Sequence, residues 1–197
     1  MRKKSHISVA RYIVNNLNTQ ELDNHKKAFY LGSILPDCKP SFLTKKHEFF
    51  GTFDQVREDI RNLTEDCDIF GRNERVYWRR IGEVIHYVAD YFTFPHNDTY
   101  DGNLKDHCIY EKHLKKYLKE YIKSGEALRQ QKEMKTFKTA EALFHFIEAS
   151  HQEYLTFTRS VEEDVKYIIS LCQPVVVSIV QLLNIRVGQI ARNYAIA

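Results

Sequence analysis

The residues with the most chemical capacity in this chain are its histidines and the carboxylates spaced around them. His86 and Asp90 stand four apart, and so do His107 and Glu111. Four helical residues turn about 400°, which places each pair on one face, one turn apart. His96 lies between the pairs, directly after Pro95, so three histidines and two carboxylates fall within 26 residues. Neutral imidazole and carboxylate are the nitrogen and oxygen donors of divalent metals. An H-x-x-x-D helix facing an H-x-x-x-E helix is one way a helical bundle builds a multi-metal site. A lone pair at this spacing is more often a surface ion pair, contributing about 0.2–0.5 kcal/mol. The neighbours argue otherwise. Gly82 and Ala89 flank His86 and Asp90, leaving room for something to approach. The face of His107 and Glu111 continues into Leu114, Leu118 and Tyr121, an apolar and therefore inward face. An inward carboxylate needs a partner, because unpaired burial is costly. Three further candidates lie upstream: His6, Asp37 in a proline-flanked segment, and His47.

The elements that must position these residues read as helix after helix. We expect an all-α fold, a single multi-helix bundle domain over residues 1–197 with the metal cluster in a cleft. The first helix runs from about Ser5 to Leu17, and the second over Asn24–Gly32. Pro36 and Pro40 force an irregular segment over 33–40. A polar-faced helix covers about 53–67, and a stronger one Glu74–Tyr91, where Trp78, Ile81, Ile85, Val88 and Phe92 keep the i, i+3, i+4 rhythm. Phe94-Pro95 ends it, and Asn97–Asn103 is a loop. Further helices cover about Leu104–Ser124, closed by Gly125, then Thr139–Arg159 and Val161–Arg192. Tyr167–Ile185 has no charged residue in 19 positions, just enough to span a bilayer. Gln173, Pro174, Ser178, Gln181 and Asn184 interrupt it, the last three as a polar stripe, so it reads as a bundle helix with a kink or break at Pro174.

Composition narrows the function classes. The 197 residues carry 29 Lys plus Arg against 26 Asp plus Glu, a net charge of +3, which excludes nucleic-acid binding driven by bulk charge. No stable nucleic-acid partner is expected, and the lysines of 112–123 read as a solvated face, with anionic lipid or nucleic acid as what they could attract. Hydrophobic residues at 43% and aromatics at 13% exclude disorder. Cys38, Cys67, Cys108 and Cys172 contain no C-x-x-C pair, so a cysteine zinc site is not expected. They read as reduced thiols. The basic start Met1-Arg2-Lys3-Lys4 is followed by no apolar run, so no export signal is visible and a cytoplasmic location is the expectation. His25, His113, His145 and His151 stay outside the proposed donor set.

The order of these residues resembles the zinc-dependent phospholipase C family of bacteria, whose broader relatives include the single-strand-specific zinc nucleases. The resemblance lies in Ser5-His6, Leu31–Asp37, His47, His86–Asp90, Thr93–His96 and His107–Glu111, and covers roughly residues 5–120. It implies a helical domain holding two or three zinc ions. Asp37, His47, His86 and Asp90 would hold one ion and His96, His107 and Glu111 a second. Asp90 would bridge to a third, shared with His6. Family members complete that third site with the amino group and carbonyl of an N-terminal Trp. Here the only Trp is Trp78, so the third site is expected to lack two ligands.

Nitrogen and carboxylate donors without thiolate suit zinc, with manganese or iron as alternatives. The expected chemistry is hydrolysis of a phosphate ester by metal-activated hydroxide, on a phospholipase C-type substrate. The resemblance makes Asp37 the general base. Phospholipid is the implied substrate, with peripheral membrane contact and no transmembrane span. Phe42, Phe49, Phe50 and Phe53 are candidates for the cleft mouth, or for the core. The alternatives are a nuclease or phosphatase on the same scaffold, and a non-catalytic metal-stabilised helical binding protein.

Overall fold

The computed structural model describes residues 1–38, 48–129, 135–157 and 159–196. Among these it contains eight α-helices and no strand: α1 (Lys3–Leu17), α2 (Gln20–Gly32), α3 (Phe49–Leu63), α4 (Glu74–Tyr91), α5 (Leu104–Lys123), α6 (Glu126–Arg129), α7 (Ala140–Thr156) and α8 (Val161–Ile196). Short 3-10 turns cover Pro36–Cys38 and Phe94–His96. The all-α expectation holds. His47 and Phe42 lie outside the described residues.

Local sequence explains the start and end of the helices that matter. Asn73 caps α4 through its side chain, accepting from the Val76 amide at 3.1 Å. Asn103 and Asp106 form a reciprocal capping box at the start of α5. Gly125, at φ +75°, takes the left-handed conformation that stops α5. Trp78, Ile81, Ile85, Val88 and Phe92 are all buried, so α4 is a central helix. It packs against α1, α2, α3 and α8.

Several boundaries differ from expectation. The first two helices begin earlier, at Lys3 and Gln20, and α3 is shifted upstream to Phe49–Leu63. Its Phe49 stacks on Phe53 at 4.5 Å and on His151 at 4.1 Å. Phe49 and Phe53 are therefore core residues, whereas Phe50 is exposed. α8 runs unbroken through Pro174. It is long and apolar enough to cross a membrane by length and composition alone, yet 67% of its most apolar window is buried inside the protein. Ser178 is buried and Asn184 exposed, so the polar stripe is not a solvent face along its whole length.

What approaches Gly82 is backbone. A Cβ on Gly82 would lie 2.3 Å from the Phe29 carbonyl oxygen and 2.9 Å from the Ser33 nitrogen. A Cβ on Gly32 would lie 1.9 Å from the Arg79 carbonyl oxygen. The two glycines let α2 and α4 cross in direct backbone contact, and that crossing brings the end of α2 onto the surface that carries His86.

The turn after α4 is held by two buried clamps. Asn97 donates to the carbonyls of Tyr91 at 3.3 Å and Thr93 at 3.1 Å, and accepts from His151 Nε2 at 2.9 Å. Asp164, in the first turn of α8, accepts from the Phe94 amide at 2.8 Å, from the Tyr110 hydroxyl at 3.0 Å and from the Tyr154 hydroxyl at 2.7 Å. Burial pushes the Asp164 carboxyl up to about 7, although these three donors favour its charged form.

Two predictions follow from this packing. Gly82→Ala forces the α2–α4 crossing apart and costs about 1–3 kcal/mol or more in urea unfolding. Burial holds His151 down to about 4. A base depressed in this way stabilises the fold above its unfolded value of 6.5, and the contribution is lost as pH falls from there toward 4. His151→Gln keeps a donor for Asn97 and removes that titration. Its stability relative to the parent therefore rises as pH drops from 7 to 4.5, measured by parallel denaturant melts.

Candidate metal centre

Seven of the eight expected donors lie within the described residues, and the fold brings them together. α1 contributes His6, the turn after α2 contributes Asp37, and α4 contributes His86 and Asp90. The 3-10 turn after α4 contributes His96, and α5 contributes His107 and Glu111. Two triads result, His6–His86–Asp90 and His96–His107–Glu111, whose donor atoms all lie within 4.8 Å of one another in each triad. A tetrahedral ion with bonds of about 2.0–2.2 Å sets its donors about 3.3–3.6 Å apart, close to the His–carboxylate distances within each triad.

The first triad is fully buried. His6 stacks on His86 with ring centroids 3.9 Å apart. His6 Nε2 lies 3.3 Å from Asp90 Oδ1, and His86 Nε2 lies 3.3 Å from Asp90 Oδ2 and 3.7 Å from Asp37 Oδ1. His86 Nδ1 sits 2.9 Å from the Ser33 carbonyl oxygen. That acceptor requires the proton on Nδ1, so a neutral ring presents a lone pair at Nε2 toward the carboxylates. A ligating histidine is oriented by a backbone carbonyl in the same way. The buried His6 Nε2 makes no hydrogen bond, which is costly for a polar atom unless a ligand satisfies it. The resemblance assigned His6 to a different ion from His86; here the two rings share one space.

The second triad is more open. His107 Nε2 lies 3.3 Å and His96 Nε2 3.6 Å from Glu111 Oε1. The triads meet at Asp90, whose Oδ2 is 4.0 Å from His96 Nδ1.

The α-amino group of Met1 stands between them. Its nitrogen is 2.5 Å from Asp90 Oδ1, 2.8 Å from His96 Nε2 and 3.3 Å from Glu111 Oε1. Here the amine is the cation that two buried carboxylates require. Burial works against its charge, but Asp90 and Glu111 hold its pKa above the ordinary value. Burial also opposes the charge on Asp90, yet His96, the Met1 amine, His6 and His86 together hold its carboxyl well below the usual range. Glu111 is likewise lowered: the hydrogen bonds from His107 and His96 and the nearby amine outweigh its burial. Burial brings His6 down to about 3, helped by His86. His6 and His96 are both held below the usual histidine range, so at these two positions neutral rings meet ionised carboxylates, the protonation states that ligate metals.

Beyond the donors, sequence reasoning missed the Met1 amine, the Ser33 carbonyl and the Asp164 clamp on the His96 turn. None has a spacing signature. The cysteines stand apart: Cys38 and Cys108 are exposed, and all four are free thiols.

Searches of curated proteins and of solved structures returned no significant match. A family model for zinc-dependent phospholipase C matches residues 5–160. That span includes all eight expected donors, and the chain belongs to the zinc-dependent phospholipase C family.

Proposed function

We propose that this protein is a zinc-dependent hydrolase of phosphodiester bonds, acting on phospholipids or esters of the same chemistry. The observation that carries this reading is the convergence of two His/carboxylate triads on Asp90 in a buried centre. Asp37, His86, Asp90 and His6 would hold one part of the cluster, with His47 as a further ligand. His96, His107 and Glu111 would hold the other. Bound zinc would supply a water acidified to a pKa of about 7 and would polarise the phosphoryl oxygens.

The chain's own residues do the positioning. The Ser33 carbonyl keeps His86 in one tautomer with Nε2 inward. Asp90 reaches both triads, so it fixes their separation. Asp37 lies on a short turn beside His86 Nε2, with its side chain almost fully buried. From there it orients the attacking water and takes its proton, the role of general base. His107, the most exposed of the described donors, faces the open side of the cluster.

Two outcomes test this reading. Protein made with supplemented zinc and then dialysed retains more than one equivalent by elemental analysis, and Asp90→Asn loses most of it. Less than one equivalent in the parent overturns the metal centre. Asp37→Asn loses about 10²–10⁴ in turnover of a generic phosphodiester per bound zinc; unchanged turnover per zinc would remove Asp37 as the base.

A further inference from the structure

Beside the metal centre, α1 and α5 enclose a groove of about 900 Å³ lined by Lys3, Lys4 and Arg11 from one helix and Lys112, Lys115, Lys116 and Lys119 from the other. No carboxylate lines it; the remaining wall is Ile7, Ser8 and His113. Elsewhere on the surface, several basic side chains are paired: Arg61 with Glu141, Arg79 with Glu83, Lys166 with Glu163 and Lys26 with Asp23. None of the seven groove cations forms an ion pair among the described residues. Seven like charges along one groove repel one another and raise its positive potential, which favours an external anion.

We infer that this groove docks the protein on the anionic phosphates of a lipid bilayer, beside the cluster. Its place on the helices supports this. Ile7 follows His6, and Lys112 follows Glu111, so the groove begins about 100° around each helix from the stripe that faces the cluster. A surface bound there has the metal centre at its edge. The composition favours lipid over single-stranded nucleic acid. The groove has no Phe, Tyr or Trp, and base stacking on such rings is what a single-strand groove uses. The lysine stripe of α5 instead carries exposed apolar surface. Ile109 is 43% exposed between Lys105 and Lys112, and Leu104 is 79% exposed at the helix start. Basic and apolar side chains on one exposed helix face suit the headgroup boundary, where lysine stems lie along apolar surface and their ammonium groups meet phosphate.

Docking rests on the phosphodiesterase reading only for why a bilayer is the partner; the two are measured separately. Zinc-loaded protein is sedimented with phosphatidylcholine vesicles, with and without phosphatidylglycerol, at low and high salt. Binding should require phosphatidylglycerol and weaken with salt. Lys115→Gln/Lys116→Gln/Lys119→Gln should weaken it by about a hundredfold, at roughly fivefold for each basic side chain near an anionic leaflet. The same triple variant should turn over a water-soluble phosphodiester like the parent. Lys26→Gln/Lys27→Gln on α2 serves as the control and should bind vesicles like the parent. Equal binding to neutral and anionic vesicles, or undiminished binding by the triple variant, overturns docking while leaving hydrolysis intact. Tighter binding to a single-stranded oligonucleotide than to anionic vesicles, lost in the triple variant, overturns it in favour of nucleic acid. Vesicle binding without turnover of any phosphodiester overturns the hydrolase reading and leaves the docking surface standing.

Discussion

Everything around the centre answers to one constraint: Asp90 is a fully buried, ionised carboxylate. Such a charge is tolerable only when cations and donors converge on it. The Met1 amine is the nearest cation, and His6, His86 and His96 bring ring nitrogens to the same carboxylate from α1, α4 and the turn beyond it. Each of those groups is in turn costly to bury alone. The charges and lone pairs of the cluster therefore depend on one another, and a divalent ion is the partner that would satisfy most of them at once. The amine holds that position as a single positive charge.

A constraint of this kind needs a rigid frame. The Gly32–Gly82 crossing sets the distance between α2 and α4 to backbone contact, which is why the Ser33 carbonyl reaches His86. Asn97 and Asp164 fix the turn that carries His96 through bonds to its backbone. Apart from Asp37, the described side-chain donors thus sit on helices or on a turn clamped from two sides, a placement that holds ligands more firmly than a free loop. The Asp164 clamp also joins Tyr110, next to Glu111, so the turn and α5 are tied through one carboxylate.

The legible and the illegible parts divide by the range of the interaction. His86/Asp90 and His107/Glu111 were readable because helical periodicity fixes which side chains share a face, and the structure keeps both pairs on one face. The apolar rhythm of α4 was readable for the same reason. The space at Gly82 was readable as space, but what fills it is set by another helix. A carbonyl at Ser33, an amine at Met1 and a carboxylate 70 positions from Phe94 leave no periodic trace. Helix starts were misplaced where tertiary packing extends a helix beyond its apolar pattern, as at Gln20 and Phe49.

Asp164 lies beyond the span of the family match, which ends at residue 160. Its bond to Phe94 closes a long loop of chain, and the contact of Met1 with Asp90 closes a longer one. Contacts of such sequence separation form late, because loop-closure entropy must be overcome before they contribute. The helix that carries Asp164 also covers α4 and α5. A fragment cut at the end of the homologous region would keep every proposed ligand and lose the element that sets one of them in place. The boundary of recognisable ancestry and the boundary of the cooperative folding unit are then different places in this chain, and the second is the one that decides whether the cluster is pre-organised.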